Sequence, residues 1–316
     1  MKKGIISGMS GSGKLGILLL IIIVSTLIMG ALGLAVAYLK TGIGLNTSVL
    51  MDYNNPDTIT YMKIMQIFQA IGLFIIPPAF AIFLFGKKGE NYLQFRKTNL
   101  LFILVAGSLM IVALPLINWF AEFNQALILP DFLSGIGQWM HESEASAAKI
   151  TEYFLKADNI PTLLLNLFIM ALLPAFGEEM LFRGVLQRIF IQMSKNIHIG
   201  IWITAFLFSA IHMQFFTFLP RFFMGAMFGY MLVWSGSIWL TITAHFVNNG
   251  TAVIIGYLTD KGSISSDVDT IGTNNFVYII GSFILVSTGM YYLKVKAENR
   301  FEQELLNTTE QTIEIK

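Results

Sequence analysis

The feature that most constrains this chain is a series of apolar segments, each about as long as a bilayer is thick. The first runs from about Gly16 to Leu39, and others follow at 64–85, 100–120 and 276–293. About 20 consecutive apolar residues are what a helix needs to cross the hydrocarbon core. Of the 316 residues, 55% are hydrophobic and only 12% are charged, against roughly 25% charged in an average soluble domain. The sequence therefore predicts an all-α, polytopic membrane protein.

The apolar pattern divides into about eight transmembrane helices. We predict them at about 16–39, 64–85, 100–120, 161–188, 197–219, 221–234, 238–258 and 276–293. The first is too long for the apolar core of a signal peptide and is expected to be retained. Pro77 and Pro78 predict a kink in the second. Residues 132–155 predict short amphipathic helices lying against the membrane or over the bundle.

The charges predict the orientation of this bundle. Eight spans place both termini on one side, and the basic residues concentrate there: Lys2, Lys3, Lys14, Lys87, Lys88, Arg96, Lys97, Arg183, Arg188, Lys195, Lys294, Lys296 and Arg300. Acidic residues dominate the other side. By the positive-inside rule, we expect a multi-pass protein of the plasma or inner membrane with both termini cytoplasmic. A net charge of +1 predicts no nucleic-acid partner, and the absence of cysteine excludes disulfides and thiolate chemistry.

Two adjacent carboxylates, Glu178 and Glu179, interrupt the apolar pattern in the stretch PAFGEEMLFRGVLQR. Charged residues inside a membrane are costly and mark functional sites. Glu179 and Arg183 are four residues apart and share a helix face, whereas Glu178 is rotated by about 100°. One carboxylate is thus expected to pair with Arg183 while the other faces a cavity. The alternative is a cytoplasmic helix end whose charges reach the headgroups.

Two later apolar segments carry further polar side chains at helical spacing. Phe208 precedes His212 by one turn, and His245 precedes Asn249 by one turn. The second pair can bind a metal, orient a water or hydrogen-bond a substrate carbonyl. Interhelical hydrogen bonds are the alternative explanation for each histidine and for the asparagine. The occurrence of acids, histidines and an amide on successive apolar segments favours a catalytic centre in the cytoplasmic half of the bilayer.

The ordered motifs EExxxR at 178–183, FxxxH at 208–212 and HxxxN at 245–249 resemble those of the CPBP family of intramembrane proteases, which includes type II CAAX prenyl endopeptidases and bacterial Abi proteins. The resemblance covers roughly residues 160–258. It implies an eight-helix bundle with a cytoplasm-facing intramembrane cavity. It also implies three regions: 1–159, with three transmembrane helices and an extracytoplasmic polar segment; 160–294, the catalytic core; and 295–316, a polar tail.

The resemblance also implies roles for the site residues. Glu178 would be the general base that activates water, and His212 would help to hold that water or a metal. His245 and Asn249 would stabilise the oxyanion, although the neighbouring Asn248 is a second candidate amide. Glu179 and Arg183 would be a supporting pair.

A metal ion is an open question at this stage. Glutamate with two histidines has the ligand types of a catalytic zinc site, so Glu178, His212 and His245 are candidate ligands of a divalent metal such as zinc. HExxH is absent, and a metal-free glutamate mechanism is the alternative.

The leading functional hypothesis is an intramembrane endopeptidase, a metallo- or glutamate protease of the CAAX type. Its partners would be the lipid bilayer and a membrane-associated peptide or protein substrate. The main alternative is a non-catalytic membrane scaffold of the same fold, involved in peptide or bacteriocin tolerance or in secretion. A proton- or ion-coupled transporter is a third hypothesis, but the sequence has no internal repeat to support it.

Overall fold

The computed structural model describes residues 4–44, 52, 55–86, 91–127, 129–264 and 270–297. Within these ranges the chain is helical and has no β-strand. We label the helices α1 (Gly11–Thr41), α2 (Pro56–Phe85), α3 (Leu100–Val112), α4 (Leu114–Gln125), α5 (Ser134–Leu155), α6 (Ile160–Ser194), α7 (Ile197–Ala210), α8 (Phe218–Ser235), α9 (Ile238–Asp260) and α10 (Phe276–Lys296). The predicted all-α polytopic membrane fold is confirmed.

The predicted count of about eight spans is not confirmed. Six of the described helices are long and apolar enough to cross a membrane, or seven if α3 and α4, which meet at 45°, form one broken span. The difference lies in α7, for which we predicted a helix to residue 219. It ends at Ala210 after 14 residues, because a non-helical turn with Met213 at a φ of 54° follows. α8 accordingly begins at Phe218 rather than at Arg221.

Helices α2 and α6 each contain π-helical turns, at Ile71–Ile75 in α2 and at Phe168–Leu172 and Met180–Leu186 in α6. The turn in α2 directly precedes Pro77 and Pro78, whose rings cannot supply the N–H donors of a regular helix. α6 continues unbroken to Ser194, six residues beyond the predicted end. The two helices pack closely at Gly177, where a Cβ atom would lie 2.8 Å from Cβ of Phe74. The acid pair thus follows immediately after a helix contact.

One end of the bundle collects the basic segments. Gly4 N–H donates to Gly86 O at 2.7 Å, Arg188 donates to Tyr92 O at 3.0 Å, and Ile238 N–H donates to Gln94 O at 2.9 Å. The segment 91–97, the end of α6 and the start of α9 therefore share this end. Five of the basic residues that predict the orientation of the bundle lie outside the described residues: Lys2, Lys3, Lys87, Lys88 and Arg300. The tail beyond 297 lies outside them as well.

The opposite end is covered by α5, a single 22-residue helix in the segment for which we predicted several short ones. Most of its residues are exposed, and Trp139 on it is 47% exposed. The neighbouring end of α6 is held by Asn166, which accepts from Lys63 Nζ at 2.7 Å and donates to Leu155 O at 3.3 Å. α5 thus lies over the end of the bundle, which is one of the two positions expected for it.

Candidate active site

Helices α6 and α8 run parallel to each other, and hydrogen bonds pair their residues turn by turn. This alignment positions the site residues. Gln187 Nε2 donates to Gly229 O at 3.1 Å, and Arg183 Nη2 donates to Gly225 O at 3.2 Å, one helical turn earlier on both helices. Gly229 allows this close approach, because a Cβ at this position would lie 2.7 Å from Gln187 Oε1. One further turn back brings α8 level with the acid pair.

Glu179 is the supporting carboxylate of this arrangement. Its Oε1 atom lies 2.8 Å from Arg183 Nη1 and 2.9 Å from His245 Nδ1. The side chains of Glu179 and Arg183 are both fully buried. The contact that the four-residue spacing predicts is therefore present, and it extends to a histidine on α9.

Glu178 points in a different direction, into a gap between two histidines. Its Oε2 atom lies 3.9 Å from His212 Nε2 and 4.0 Å from His245 Nε2. This oxygen is buried and has no hydrogen-bond partner among the described residues. Both distances are too long for direct hydrogen bonds, and polar groups at this separation are commonly bridged by water. Each of the two separations is thus one that a single water molecule can bridge.

The other ring nitrogens fix the orientation of both imidazoles. His212 Nδ1 lies 2.7 Å from Phe208 O, a backbone acceptor, and His245 Nδ1 faces the Glu179 carboxylate. Each Nδ1 must therefore carry a proton and donate it. Both Nε2 atoms are left to face Glu178.

Phe208 packs the charged and aromatic groups of the site together. Its ring centroid is 4.2 Å from the guanidinium carbon of Arg183, and it meets the rings of His212 and His245 edge to face at 5.2 and 5.7 Å. Phe228 on α8 stacks on the other side of His245 at 5.6 Å. The phenylalanine of the FxxxH motif thus contacts the arginine and both histidines.

Asn249 hydrogen-bonds to α6 and to its neighbour Asn248, and its role in oxyanion stabilisation stays a prediction. Its Nδ2 donates to Met170 O at 3.2 Å, and its Oδ1 accepts from Asn248 Nδ2 at 3.1 Å. Met170 belongs to the first π turn of α6. The amide thus ties α9 to α6, and no hydrogen bond joins it to Glu178 or to either histidine among the described residues.

The candidate metal ligands Glu178, His212 and His245 converge, but not at ligand spacing. Zinc binds nitrogen and oxygen ligands at about 2.0–2.2 Å. Among the described residues, no group of three His, Asp or Glu side chains is arranged to hold a metal ion. The separations of 3.9 and 4.0 Å between Glu178 Oε2 and the two Nε2 atoms exceed the roughly 3.3–3.6 Å between two ligands of a tetrahedral zinc, and metal binding stays a prediction.

Residues 160–251 match the family model of type II CAAX prenyl endopeptidases described as Rce1-like. The family resemblance predicted from the three motifs is confirmed. This segment, less than a third of the chain, is similar to that family. It contains Glu178, Glu179, Arg183, both site histidines and Asn249.

A relative from Bacillus subtilis (strain 168), described as the uncharacterized protein YpbD, is 36% identical over 86 residues. The matched part is 26% of this chain and 41% of YpbD, so the likeness covers less than half of either protein. No solved structure matches the chain.

Residues outside the Rce1-like segment complete the site, and the sequence analysis missed them. The turn after His212 is held by Asn124 of α4, whose Nδ2 donates to Phe215 O at 3.1 Å and whose Oδ1 accepts from Leu219 N–H at 2.8 Å. Glu144 of α5 accepts from Phe216 N–H at 3.4 Å. The one sequence signal was the polar Asn124 near the end of an apolar segment, and the sequence does not reveal its partner.

The same turn bears on the predicted opening of the site. Asn124 and Glu144 lie at the end covered by α5, for which the charges predict an extracytoplasmic position. The His212 side of the site therefore borders that end, whereas His245 is the eighth residue of α9, whose first residue lies at the basic end. A cytoplasm-facing cavity stays a prediction.

Proposed function

We propose that this protein is an intramembrane endopeptidase that hydrolyses a peptide bond in a membrane-associated peptide or protein by a glutamate-activated water. The observation that carries the proposal is the buried, unpartnered Oε2 of Glu178 facing Nε2 of both His212 and His245. An unsatisfied buried carboxylate oxygen is costly. A buried carboxylate oxygen that faces two imidazoles without a hydrogen-bond partner supports the presence of a reacting water at this position.

The first step is attack by the water. The 3.9 Å between Glu178 Oε2 and His212 Nε2 accommodates a water with hydrogen bonds of about 2.8 Å to each. His212, with its proton on Nδ1, accepts one water hydrogen and orients the molecule. Glu178 takes the other hydrogen as a proton while the water oxygen bonds to the carbonyl carbon. The electron pair of the C=O bond moves to oxygen and forms the oxyanion.

The second step is collapse of the tetrahedral intermediate. We assign to His245 a second proton on Nε2, stabilised by the carboxylates of Glu178 and Glu179 on its two sides. This N–H donates to the oxyanion. As the C=O bond re-forms, the C–N bond breaks, and the leaving amine takes the proton from Glu178. The products are a carboxylic acid and an amine, and Glu178 is again ionised.

Glu179 and Arg183 act as positioning residues in this proposal. The Arg183 guanidinium pairs with the buried Glu179 carboxylate, and this carboxylate accepts the hydrogen bond from His245 Nδ1. The proposed location is the plasma or inner membrane, with both termini cytoplasmic.

The test is a comparison of the purified full chain with Glu178→Gln in liposomes that contain a membrane-protein extract. New peptide N-termini are identified by mass spectrometry. We expect cleavage products with the wild type and none with Glu178→Gln, which keeps the shape of the side chain but removes the base. Equal products from both proteins would refute the mechanism, and no products from the wild type would favour the scaffold hypothesis.

A further inference from the structure

Arg221 is a second cation at the site that the proposed chemistry does not use. It lies in the first turn of α8, four residues before Gly225, which accepts from Arg183. The register of α6 and α8 therefore places Arg221 level with Glu178 and Glu179. A charged side chain at this depth is costly unless it has a function.

The partners of Arg221 orient it without neutralising it. Its Nη1 and Nη2 donate to the backbone and side-chain oxygens of Gln214, two residues after His212. Both acceptors are uncharged. Among the described residues, no carboxylate lies within 4.0 Å of the guanidinium, and the side chain is partly exposed. Of the five N–H donors of an arginine, three are left for another partner.

Two carboxylates are close enough for their charges to act on Arg221 without touching it, those of Glu144 and Glu178. Glu144 is engaged with Phe216 N–H, and Glu178 faces the two histidines. The N-terminal end of α8 adds positive potential at the same place. The guanidinium thus borders the proposed reaction centre and has N–H groups that can donate to a further partner.

We propose that Arg221 binds a carboxylate of the peptide substrate next to the scissile bond. This inference rests on the proposed function and names the substrate chemistry of the same site. A planar guanidinium binds a carboxylate through two parallel hydrogen bonds, which fixes orientation as well as affinity. The carboxylate is that of the peptide C-terminus or of an acidic side chain, and the experiment separates the two.

The experiment measures binding, so that it does not depend on turnover. Three fluorescent N-dodecanoyl tetrapeptides are titrated against the full chain in a neutral detergent: one with a free C-terminal acid, one with the same sequence amidated, and one amidated with an internal glutamate. Both the wild type and Glu178→Gln are used. We expect at least one acidic probe to bind about tenfold or more tightly than the uncharged amide, the scale of one charge-assisted pair.

Variants assign the preference to Arg221. Arg221→Gln should remove it, and Arg221→Lys should reduce it, because an ammonium lacks the planar fork. Arg96→Gln is the matched control, since Arg96 is also partly exposed but lies at the other end of α8, where Ser237 Oγ donates to its carbonyl. It should keep the preference.

The outcomes are distinct. Tight binding of the free acid alone identifies the C-terminal carboxylate, and tight binding of the glutamate probe identifies an acidic side chain. Equal or absent binding of all three probes to the wild type overturns the proposal, whether or not the Arg221 variants fold. Selective binding without hydrolysis by the wild type would support this carboxylate-binding site and contradict the proposed protease activity.

Discussion

Glu179 Oε1 lies 2.9 Å from His245 Nδ1, and the same oxygen lies 2.8 Å from Arg183 Nη1. One buried carboxylate oxygen therefore joins an arginine on its own helix to a histidine on another. This contact leaves Nε2 of His245 to face Glu178 at 4.0 Å. The two neighbouring acids thus have separate tasks, with Glu179 holding the site together and Glu178 left for chemistry.

The separation of tasks predicts opposite phenotypes for the two amide variants. Glu179→Gln should lower the free energy of unfolding by about 3–5 kcal/mol, because it leaves the Arg183 charge buried without a partner. Glu178→Gln should show no hydrolysis and lose less stability than Glu179→Gln, because the nearest ionic contacts of Glu178, the two histidine Nε2 atoms, are 3.9 and 4.0 Å away. Thermal unfolding in detergent and the N-terminus assay measure the two effects.

The reverse order would contradict this assignment. An unstable Glu178→Gln beside a stable but inactive Glu179→Gln would make Glu179 the base. The Arg183→Gln variant is an internal check, since it should destabilise the protein as Glu179→Gln does.

The division between the acids could be predicted from the sequence because it depends only on helix geometry. Residues four apart share a face, and the π turn at Met180–Leu186 does not separate Glu179 from Arg183. The all-α fold followed from segment length and composition in the same way. Both are local properties of the chain.

Other parts of the site depend on contacts between distant segments, which one sequence does not reveal. Residues 211–217 are apolar enough to continue a helix, yet α7 stops at Ala210, and Asn124 holds the turn from 91 and 95 positions away. Asn249 is similar: its spacing from His245 indicates a shared face, but Met170 O, exposed by a π turn, takes its amide hydrogen bond.

The predicted orientation can be tested directly because the chain has no cysteine. Single cysteines at Lys97 and Ser146, both exposed, should react with a membrane-impermeant maleimide from opposite sides. We expect Ser146→Cys to be labelled in intact cells and Lys97→Cys only after lysis. Labelling of both from one side would disprove the predicted topology.

A third cysteine at Met213, which is 47% exposed, reports the side to which the site opens, and labelling only after lysis would agree with a cytoplasm-facing cavity.

Metal dependence separates the two mechanisms left open by the residue types. The wild type is dialysed against a chelator that removes zinc and is then assayed for cleavage. The proposed glutamate mechanism predicts unchanged activity, because no step of it uses a metal ion. Loss of activity that added zinc restores would show instead that Glu178, His212 and His245 close around a metal. His212→Ala, which should then lose zinc binding as well as activity, is the control.

The last prediction concerns Asn124, which holds the turn that carries His212. Asn124→Ala removes a donor to Phe215 O and an acceptor for Leu219 N–H, so the turn loses its anchor to α4. A displacement of about 1 Å can cost roughly 100-fold in rate. We expect kcat to fall on that scale because the water-holding imidazole moves, and KM to rise because Gln214 of the same turn orients Arg221. Asn118→Ala is the matched control: Asn118 is a buried asparagine of the same helix that donates to Ile271 O at 3.1 Å, away from the site. Both variants leave buried backbone groups without partners and should lose about 1–3 kcal/mol of stability. A similar loss of kcat in both would mean that α4 acts only through stability, and that Asn124 has no separate part in positioning His212.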